Sequence, residues 1–279
     1  MTKILIMPSN INIENTYSNT DGYIFGLNKW SVNMPLDITI DELKQIKEQT
    51  KEKELFISLN KNIYSSELEE LKDVLKELDK LDLSGILYAD TCFINLKKEL
   101  NLKTPLVWSQ EHLTTNYATI NFWNQYGVDY TYLSPEITLE EIKEIRKNTN
   151  VKLMVPIFGY LPMFTSKRHI VKNYLNHFHL TDNSKINYIE KENKTYPIVD
   201  NNEGTVAYTS HILNGFEEYL DLEDIDYVTL NSFDIDEEKF LKVLKIYKEK
   251  DISKKEEINN LFPNIDKGFL YKETIYRVK

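Results

Sequence analysis

A short group of polar residues, Ser166 to His169, follows an apolar segment that has the composition of a buried strand. The residues from Val171 to Phe178 have the apolar spacing of a helix, so the group is expected on a strand-to-helix connection, where α/β proteins place ligand-binding and catalytic groups. Lys167 and Arg168 suit a carboxylate or phosphate, Arg168 as a two-pronged donor and Lys167 as a point charge. Alternatively, both cations are solvated or paired with an acid, and His169 is a structural hydrogen-bond donor.

Carboxylates follow several other predicted strands. Asp90, Glu111 and Glu136 each stand just past a strand end, and the strand ends of an α/β barrel converge at one mouth. Repulsion between them and partial burial would raise the pKa of at least one towards the working range of a general acid or base. The alternative is that they cap helices or pair with Lys167 and Arg168, and spacing alone does not separate the two.

The elements that would position these residues alternate along the chain. Amphipathic stretches at 40–49, 66–81, 116–126, 139–147 and 237–247 are predicted helices. Thr138 and Glu141 have capping-box spacing at one helix start. The chain therefore predicts a TIM-like (β/α)8 barrel with a parallel sheet, whose eight strands are Ile4–Met7, Tyr23–Phe25, Leu55–Leu59, Gly85–Tyr88, Leu106–Trp108, Tyr130–Leu133, Leu153–Phe158 and Tyr227–Leu230.

The barrel is expected to occupy residues 1–250, with a β-hairpin inserted after the seventh strand at about 181–212. Residues 251–279 would form a C-terminal helix and a docked aromatic tail. At the mouth, Asn60, Gln110 and Gly159 also follow strand ends and are candidate ligand-binding residues.

Composition limits the classes of function. The net charge of −10 argues against a broad basic surface for nucleic acid, although a local patch remains compatible with it. No apolar run has the length of a membrane span, and we expect a cytoplasmic protein without membrane contact. The single cysteine, Cys92, argues against a disulfide framework or a thiolate-bound metal centre, and the absence of a P-loop or G-x-G-x-x-G gives no support to a nucleotide cofactor.

The run LPMFTSKRHIVKNY, after a strand that ends in Phe158-Gly159, resembles the signature of the peptidase U32 family, the collagenase-like peptidases. The segments VWSQEHLTTNYATINFWNQYGVDYTYLSPEITLEEIKEI, YPIVDNNEGTVAY and GFLYKETIYRVK also fit that family. The form MF-x-SKR-x-x-x-x-NY is most similar to the family's short proteins for hydroxylation of the transfer-RNA wobble uridine. The resemblance implies a prephenate-dependent route to 5-hydroxyuridine, a prephenate-like anionic ligand, transfer RNA as a partner, and a site on Gln110, Asn116, Glu136, Gly159, Ser166 and Arg168.

The chain departs from the family signature where cysteines are usual. Pro162 and His169 occupy those positions, so an iron–sulfur cluster, which many relatives hold, could not be built from this chain alone. Three hypotheses follow: an enzyme or enzyme subunit for transfer-RNA hydroxylation, a non-catalytic subunit that pairs with a longer cysteine-bearing relative, and a collagenase-like peptidase. In the first, Lys167 and Arg168 hold the anion, and Glu136 or Asp90 acts on protons.

Overall fold

The fold is described from a computed structural model, and the residues it describes are 2–11, 13, 17, 19–50, 52–110, 112–222 and 224–272. Within them the strands are β1 Lys3–Met7, β2 Gly22–Leu27, β3 Asp37–Ile38, β4 Glu54–Leu59, β5 Gly85–Tyr88, β6 Leu106–Ser109, β7 Tyr130–Tyr132, β8 Lys152–Gly159, β9 Pro162–Ser166, β10 Asn187–Lys191, β11 Lys194–Asn201, β12 Gly204–Tyr208, β13 Ile212–Asn214, β14 Tyr227–Asn231 and β15 Ile265–Asp266.

Helices connect the strands in the same part of the chain. They are α1 Ile40–Gln49, α2 Leu68–Leu78, α3 Cys92–Leu100, α4 Tyr117–Asn124, α5 Leu139–Asn148, α6 Ile170–His177, α7 Phe216–Leu220, α8 Glu237–Glu249 and α9 Lys255–Leu261. Thr138 forms the predicted capping box: its side chain accepts from the N–H of Glu141, and the Glu141 carboxylate accepts from the N–H of Thr138. Helix α3, between β5 and β6, was not among the predicted helices.

The predicted barrel is confirmed. Strands β1, β2, β4, β5, β6, β7, β8 and β14 pair in parallel in that order, and β14 closes the ring by pairing with both β8 and β1. All eight coincide with predicted runs, because strands covered on both faces read as continuous apolar segments. The rings of Phe56, Tyr130 and Tyr227 meet inside the N-terminal end of the barrel, with centroids 5.8–6.0 Å apart. This end is therefore filled by side chains.

A second, four-stranded antiparallel sheet in the order β10-β11-β12-β9 interrupts the barrel between β8 and β14. The predicted hairpin is present as β10 and β11, but the inserted sheet is larger than predicted and begins at Pro162. Strand β9 pairs with β12, about forty residues further along the chain, from Ser166 opposite Thr205 to Pro162 opposite Tyr208. The partner of β9 is so distant in sequence that no pattern next to β9 predicts the pairing.

The C-terminal segment docks on the barrel through strand and side-chain contacts. Strand β15 pairs with β13, which in turn pairs with the end of β8. Leu270 is buried, and the Tyr271 hydroxyl donates to Glu218 at 2.8 Å. Of the predicted aromatic tail, Tyr276 lies outside the described residues.

Candidate functional site

The C-terminal end of the barrel opens into a cavity of about 390 Å³ that the inserted sheet partly covers. A smaller cavity of about 60 Å³ continues below it into the barrel, where Tyr132 and Thr229 share a 2.8 Å hydrogen bond between their hydroxyls. We call the two together the mouth. The larger cavity is lined by Val32, Asn33, Asn60, Lys61, Asn62, Ala89, Ser109, Gln110, His112, Phe164, Thr165, Lys167 and Glu203.

Neutral amides and hydroxyls dominate the barrel side of the mouth. Asn60 accepts from the N–H of Val32 at 3.0 Å and donates to the side chain of Asn33, so its amide is held in one orientation. The Gln110 amide donates to the carbonyl of Ala89 at 3.4 Å, and no described residue donates to its side-chain oxygen. These amides follow β4 and β6 at the positions that the strand-end rule predicts.

Lys61 lies buried in the wall between the barrel and the inserted sheet. Its ammonium is 2.8 Å from Glu67 and 2.8 Å from Glu203, and it stands 4.9 Å from the centre of the Trp30 ring. Burial alone would lower the pKa of Lys61, but the hydrogen bonds that its ammonium donates to the two glutamates more than offset this effect, and the pKa is raised above 10.5. Glu203 belongs to the β11–β12 turn, so this charged contact joins the inserted sheet to the barrel.

The predicted meeting of carboxylates does not occur through Asp90. Its two oxygens accept from the N–H groups of Ile63 and Cys92, each at 3.0 Å, so it fixes a loop to the start of α3 and does not line the mouth. Burial, with the charge of Asp90 as the second cause, raises the pKa of the Cys92 thiol to about 12. The Glu111 prediction lies outside the described residues.

Glu136 stands at the edge of the mouth and reaches it through a histidine. Its carboxylate lies 3.3 Å from Nδ1 of His112, and His112 lines the cavity. A carboxylate this close favours the proton on Nδ1, which leaves Nε2 as a proton acceptor. This partner of His112 could not be predicted from the sequence, because the two residues are brought together by the loops that follow β6 and β7.

The cations of the predicted anion site divide between two surfaces. Lys167 lines the cavity, donates to the carbonyl of Asn62 at 2.8 Å and lies 3.4 Å from the centre of the Tyr64 ring. Arg168 is exposed and does not line the cavity, and no described residue hydrogen-bonds its guanidinium. Both residues follow β9 of the inserted sheet and not the barrel strand β8, so Lys167 reaches the mouth from the inserted sheet, whereas Arg168 lies outside the mouth.

The other predicted site residues have structural roles. Gly159 ends β8 at φ +115°, and a Cβ there would lie 2.3 Å from the carbonyl oxygen of Asn231, so only glycine fits. The exposed Asn116 is the N-cap of α4 and accepts from the N–H of Thr119 at 2.9 Å. The Ser166 hydroxyl accepts from the N–H of Arg168 at 3.1 Å and shapes the β9–α6 connection.

His169 precedes α6 without capping it through its side chain. Among the described residues, no group of three or more His, Cys, Asp or Glu side chains is placed to hold a metal ion. In the same part of the chain no helix is long and apolar enough to cross a membrane.

Comparisons with known proteins agree with the predicted resemblance. A family model described as peptidase family U32 matches residues 18–268. The chain is 26% identical to tRNA hydroxylation protein P2 of Bacillus subtilis (strain 168), over 80% of this chain and 81% of that protein. It is 28% identical to tRNA hydroxylation protein P of Escherichia coli (strain K12), over 44% of this chain but only 28% of that protein.

A solved structure has the same fold. The U32 peptidase Mk0906 superposes with a TM-score of 0.56 at 14% identity, over 83% of this chain and 92% of that one. At this level of identity the likeness shows the fold alone.

Proposed function

The chain belongs to peptidase family U32, and we propose that it acts in the hydroxylation of transfer RNA at carbon 5 of the wobble uridine, with the uracil base bound in the mouth. The similarity to tRNA hydroxylation protein P2, over four-fifths of both chains, supports the pathway. The side chains that line the mouth support uracil as the ligand.

The observation that carries the proposal is the neutral, amide-rich barrel wall facing a lysine. Uracil presents two carbonyl acceptors on either side of one N–H donor, and proteins recognise unstacked bases by hydrogen bonds to that edge. The free side-chain oxygen of Gln110 is an acceptor for the N–H, and the Ser109 hydroxyl and the second N–H of the Asn60 amide are donors for the carbonyls. At about 390 Å³ the cavity lies within the range of small-ligand sites.

Lys167 is the proposed contact for an anion beside the base. One proton of its ammonium is committed to the carbonyl of Asn62 and one side of the ammonium lies against the Tyr64 ring, which leaves a donor for a carboxylate such as that of a prephenate-like ligand. His112, oriented by Glu136, is the proposed proton acceptor in the mouth, since Nε2 carries a lone pair when Nδ1 carries the proton. The oxygen donor of the hydroxylation would come from outside the chain.

The test is complementation of a deletion strain that has no paralogue. Nucleosides from its transfer RNA are measured by liquid chromatography and mass spectrometry for 5-hydroxyuridine and its derivatives. We expect the modification to disappear, to return with the wild-type gene, and to stay low with Gln110→Ala combined with Lys167→Ala. Lys143→Ala, an outer substitution on α5, is the matched control and should restore it fully.

Full modification in the deletion strain would refute the pathway. Full restoration by the double variant would refute the mouth as the site, provided that its urea midpoint equals that of the wild type. The deletion strain therefore tests the function, and the double variant tests whether the mouth is its site.

A second candidate, a non-catalytic subunit that pairs with a longer relative, is favoured by the state of Cys92. The thiol is the one cysteine of the chain, and burial and Asp90 hold its pKa near 12, which removes it from thiolate chemistry. The match to the Escherichia coli protein covers 28% of that protein, so longer relatives carry further segments. Co-purification with such a relative at mild salt, together with loss of the modification when either gene is deleted, would favour this candidate.

The literal peptidase hypothesis is tested by a peptide-cleavage assay on wild-type, Glu136→Gln and Arg168→Ala protein. Cleavage that both substitutions leave unchanged would indicate a contaminating protease.

A further inference from the structure

The inserted sheet rests on the barrel loop that joins β2 and β3, residues 28–36. Asn201, where β11 turns into β12, donates from its side-chain amide to the carbonyl of Val32 in this loop at 2.7 Å. In the same turn Glu203 lies 2.8 Å from the ammonium of Lys61. We call these two interactions together the turn contact. Because Glu203 and Lys61 line the mouth, the turn contact forms one side of the larger cavity.

A buried carboxyl group lies at the end of the same loop. Asp37 begins β3 and is paired with Gly26 at the end of β2. A Cβ on Gly26 would collide with Oδ1 of Asp37 and with the hydroxyl of Ser31, so these two groups pack together on the bare glycine backbone. Both atoms are buried, and no described residue hydrogen-bonds to either of them. The same holds for the hydroxyl of Ser58, the neighbour of Gly26 on β4, so the groups beside this carboxyl are neutral.

The charge that acts on Asp37 belongs to the turn contact. Glu203 is the charged group that raises the cost of ionising Asp37. The one lysine of the turn contact, Lys61, is already shared between Glu203 and Glu67. On the loop itself, Lys29 is paired with a glutamate of α2. An ionised Asp37 would therefore add a third negative charge beside one lysine and two glutamates.

We propose that Asp37 is a proton-controlled switch that sets how firmly the β11–β12 turn closes the side of the mouth. While Asp37 is neutral, Glu203 stays on Lys61 and the turn contact is firm. Ionisation of Asp37 repels Glu203 and loosens the contact, because like charges in a partly buried site destabilise each other. The inference rests on the proposed function only for the ligand, whose cavity would lose the Glu203 side of its wall.

The size of the effect follows from linkage between the proton and the contact. Burial raises the pKa of Asp37 from 3.8 to about 6, the nearby Ser31 hydroxyl opposes the shift, and the charge of Glu203 adds to it. A raised pKa means that the proton favours the firm contact, and this contribution is lost as the pH rises through about 6. If detachment of the turn returns the pKa of Asp37 to 3.8, the firm contact is favoured about tenfold more at pH 5 than at pH 8.

Hydrogen exchange of the full chain, followed by mass spectrometry from pH 5 to pH 8, measures the firmness of the turn contact. Exchange times are scaled for the known pH dependence of chemical exchange, and peptides from Glu237–Glu249 of α8 provide the internal reference. Protection of the peptides that cover residues 194–208 should fall by about three- to tenfold as the pH rises, with a midpoint near 6, while the reference stays constant. Asp37→Asn should keep the high protection at pH 8. Asp73→Asn, at an exposed carboxylate of α2, is the matched control and should titrate like the wild type.

Two outcomes would overturn the switch: wild-type protection that is the same at pH 5 and pH 8, or a pH step that Asp37→Asn retains. If Asp37→Asn does not fold, Glu203→Gln is the second variant. It removes the charge that Asp37 would repel, so its pH step should be smaller than that of the wild type, and a full step would refute the mechanism. These measurements need no ligand. A deletion strain with intact modification would therefore refute the proposed function and leave this result standing.

Discussion

The contact of Lys61 with Glu67 and Glu203 gives a quantitative prediction about how the inserted sheet is held. The lysine side chain is 3% exposed, and the two carboxylates, each 2.8 Å from its ammonium, are 19% and 21% exposed. Removing one member of a fully buried pair costs about 3–5 kcal/mol, whereas exposed pairs contribute about 0–1 kcal/mol. Both glutamates are partly exposed, so water can solvate their carboxylates once the lysine is removed, and the loss should be smaller than for a fully buried pair. We therefore expect Lys61→Met to lower the free energy of unfolding by about 2–3 kcal/mol.

Urea unfolding at pH 7, followed by far-UV circular dichroism, measures this change. Methionine keeps most of the apolar stem, so the loss reports the charge and not the packing volume. Lys143→Met, on a surface pair of α5, is the matched control and should change stability by less than about 0.5 kcal/mol. In a double-mutant cycle with Glu203→Gln, the coupling should reach at least about 1 kcal/mol. A Lys61→Met protein as stable as the control would refute the reasoning.

The pH dependence of this contribution follows from the two shifted groups. The pKa of Lys61 is raised above 10.5, so its contribution is complete below about 10.5 and is lost as the pH rises through the folded-state pKa. For Glu67, burial alone would raise the pKa, but the hydrogen bond from Lys61 and the N–H of Tyr64 lower it below 4.5. Its contribution is complete above about 4.5 and is lost as the pH falls through the lowered pKa. The stability difference between wild type and Lys61→Met should therefore be largest between these limits.

Two further predictions concern single residues. Gly159→Ala should lower the free energy of unfolding in urea by about 2–4 kcal/mol, because it adds backbone strain and a clash with Asn231. Gly127→Ala, at φ +89° with open space around it, should lower it by only about 1–2 kcal/mol. Equal losses of stability in the two variants would contradict the clash at Gly159. Iodoacetamide at pH 8 should alkylate Cys92 at least about 100-fold more slowly in the folded than in the urea-unfolded protein, because its pKa is about 12. Asp90→Asn should speed the folded reaction, and similar folded and unfolded rates would exclude the raised pKa.

The barrel could be predicted from the sequence because its signal is local. Each parallel strand, buried on both faces, is a short apolar run, and each run predicts a strand without knowledge of its neighbours. The same rule places Asn60 and Gln110 at the mouth, since position after a strand end is also local information. Asp90 shows its limit: the rule gives the position but not the direction of the carboxylate, which two backbone N–H groups hold away from the mouth.

The rest of the site depends on pairing between distant segments. Lys61 and Glu203 are 142 positions apart, and neither has a neighbour in sequence that predicts the other. Lys167 reaches the mouth only because β9 pairs with β12 and turns away from the barrel. Contacts formed by folding an inserted sheet back over the barrel carry no periodic pattern, so they could not be read from the chain.

The ligand class of this mouth therefore depends on the inserted sheet more than on the barrel. The barrel strands supply neutral groups such as Asn60 and Ser109, which suit many polar ligands, whereas Lys167 and Glu203 come from the insertion. A ligand in the cavity would thus contact the insertion directly, and the insertion is joined to the barrel by the contact between Lys61 and Glu203. Substitutions that loosen this contact, such as Lys61→Met, should therefore weaken ligand binding in the mouth, because Lys61 and Glu203 line the cavity and because the insertion that carries Lys167 is held through them.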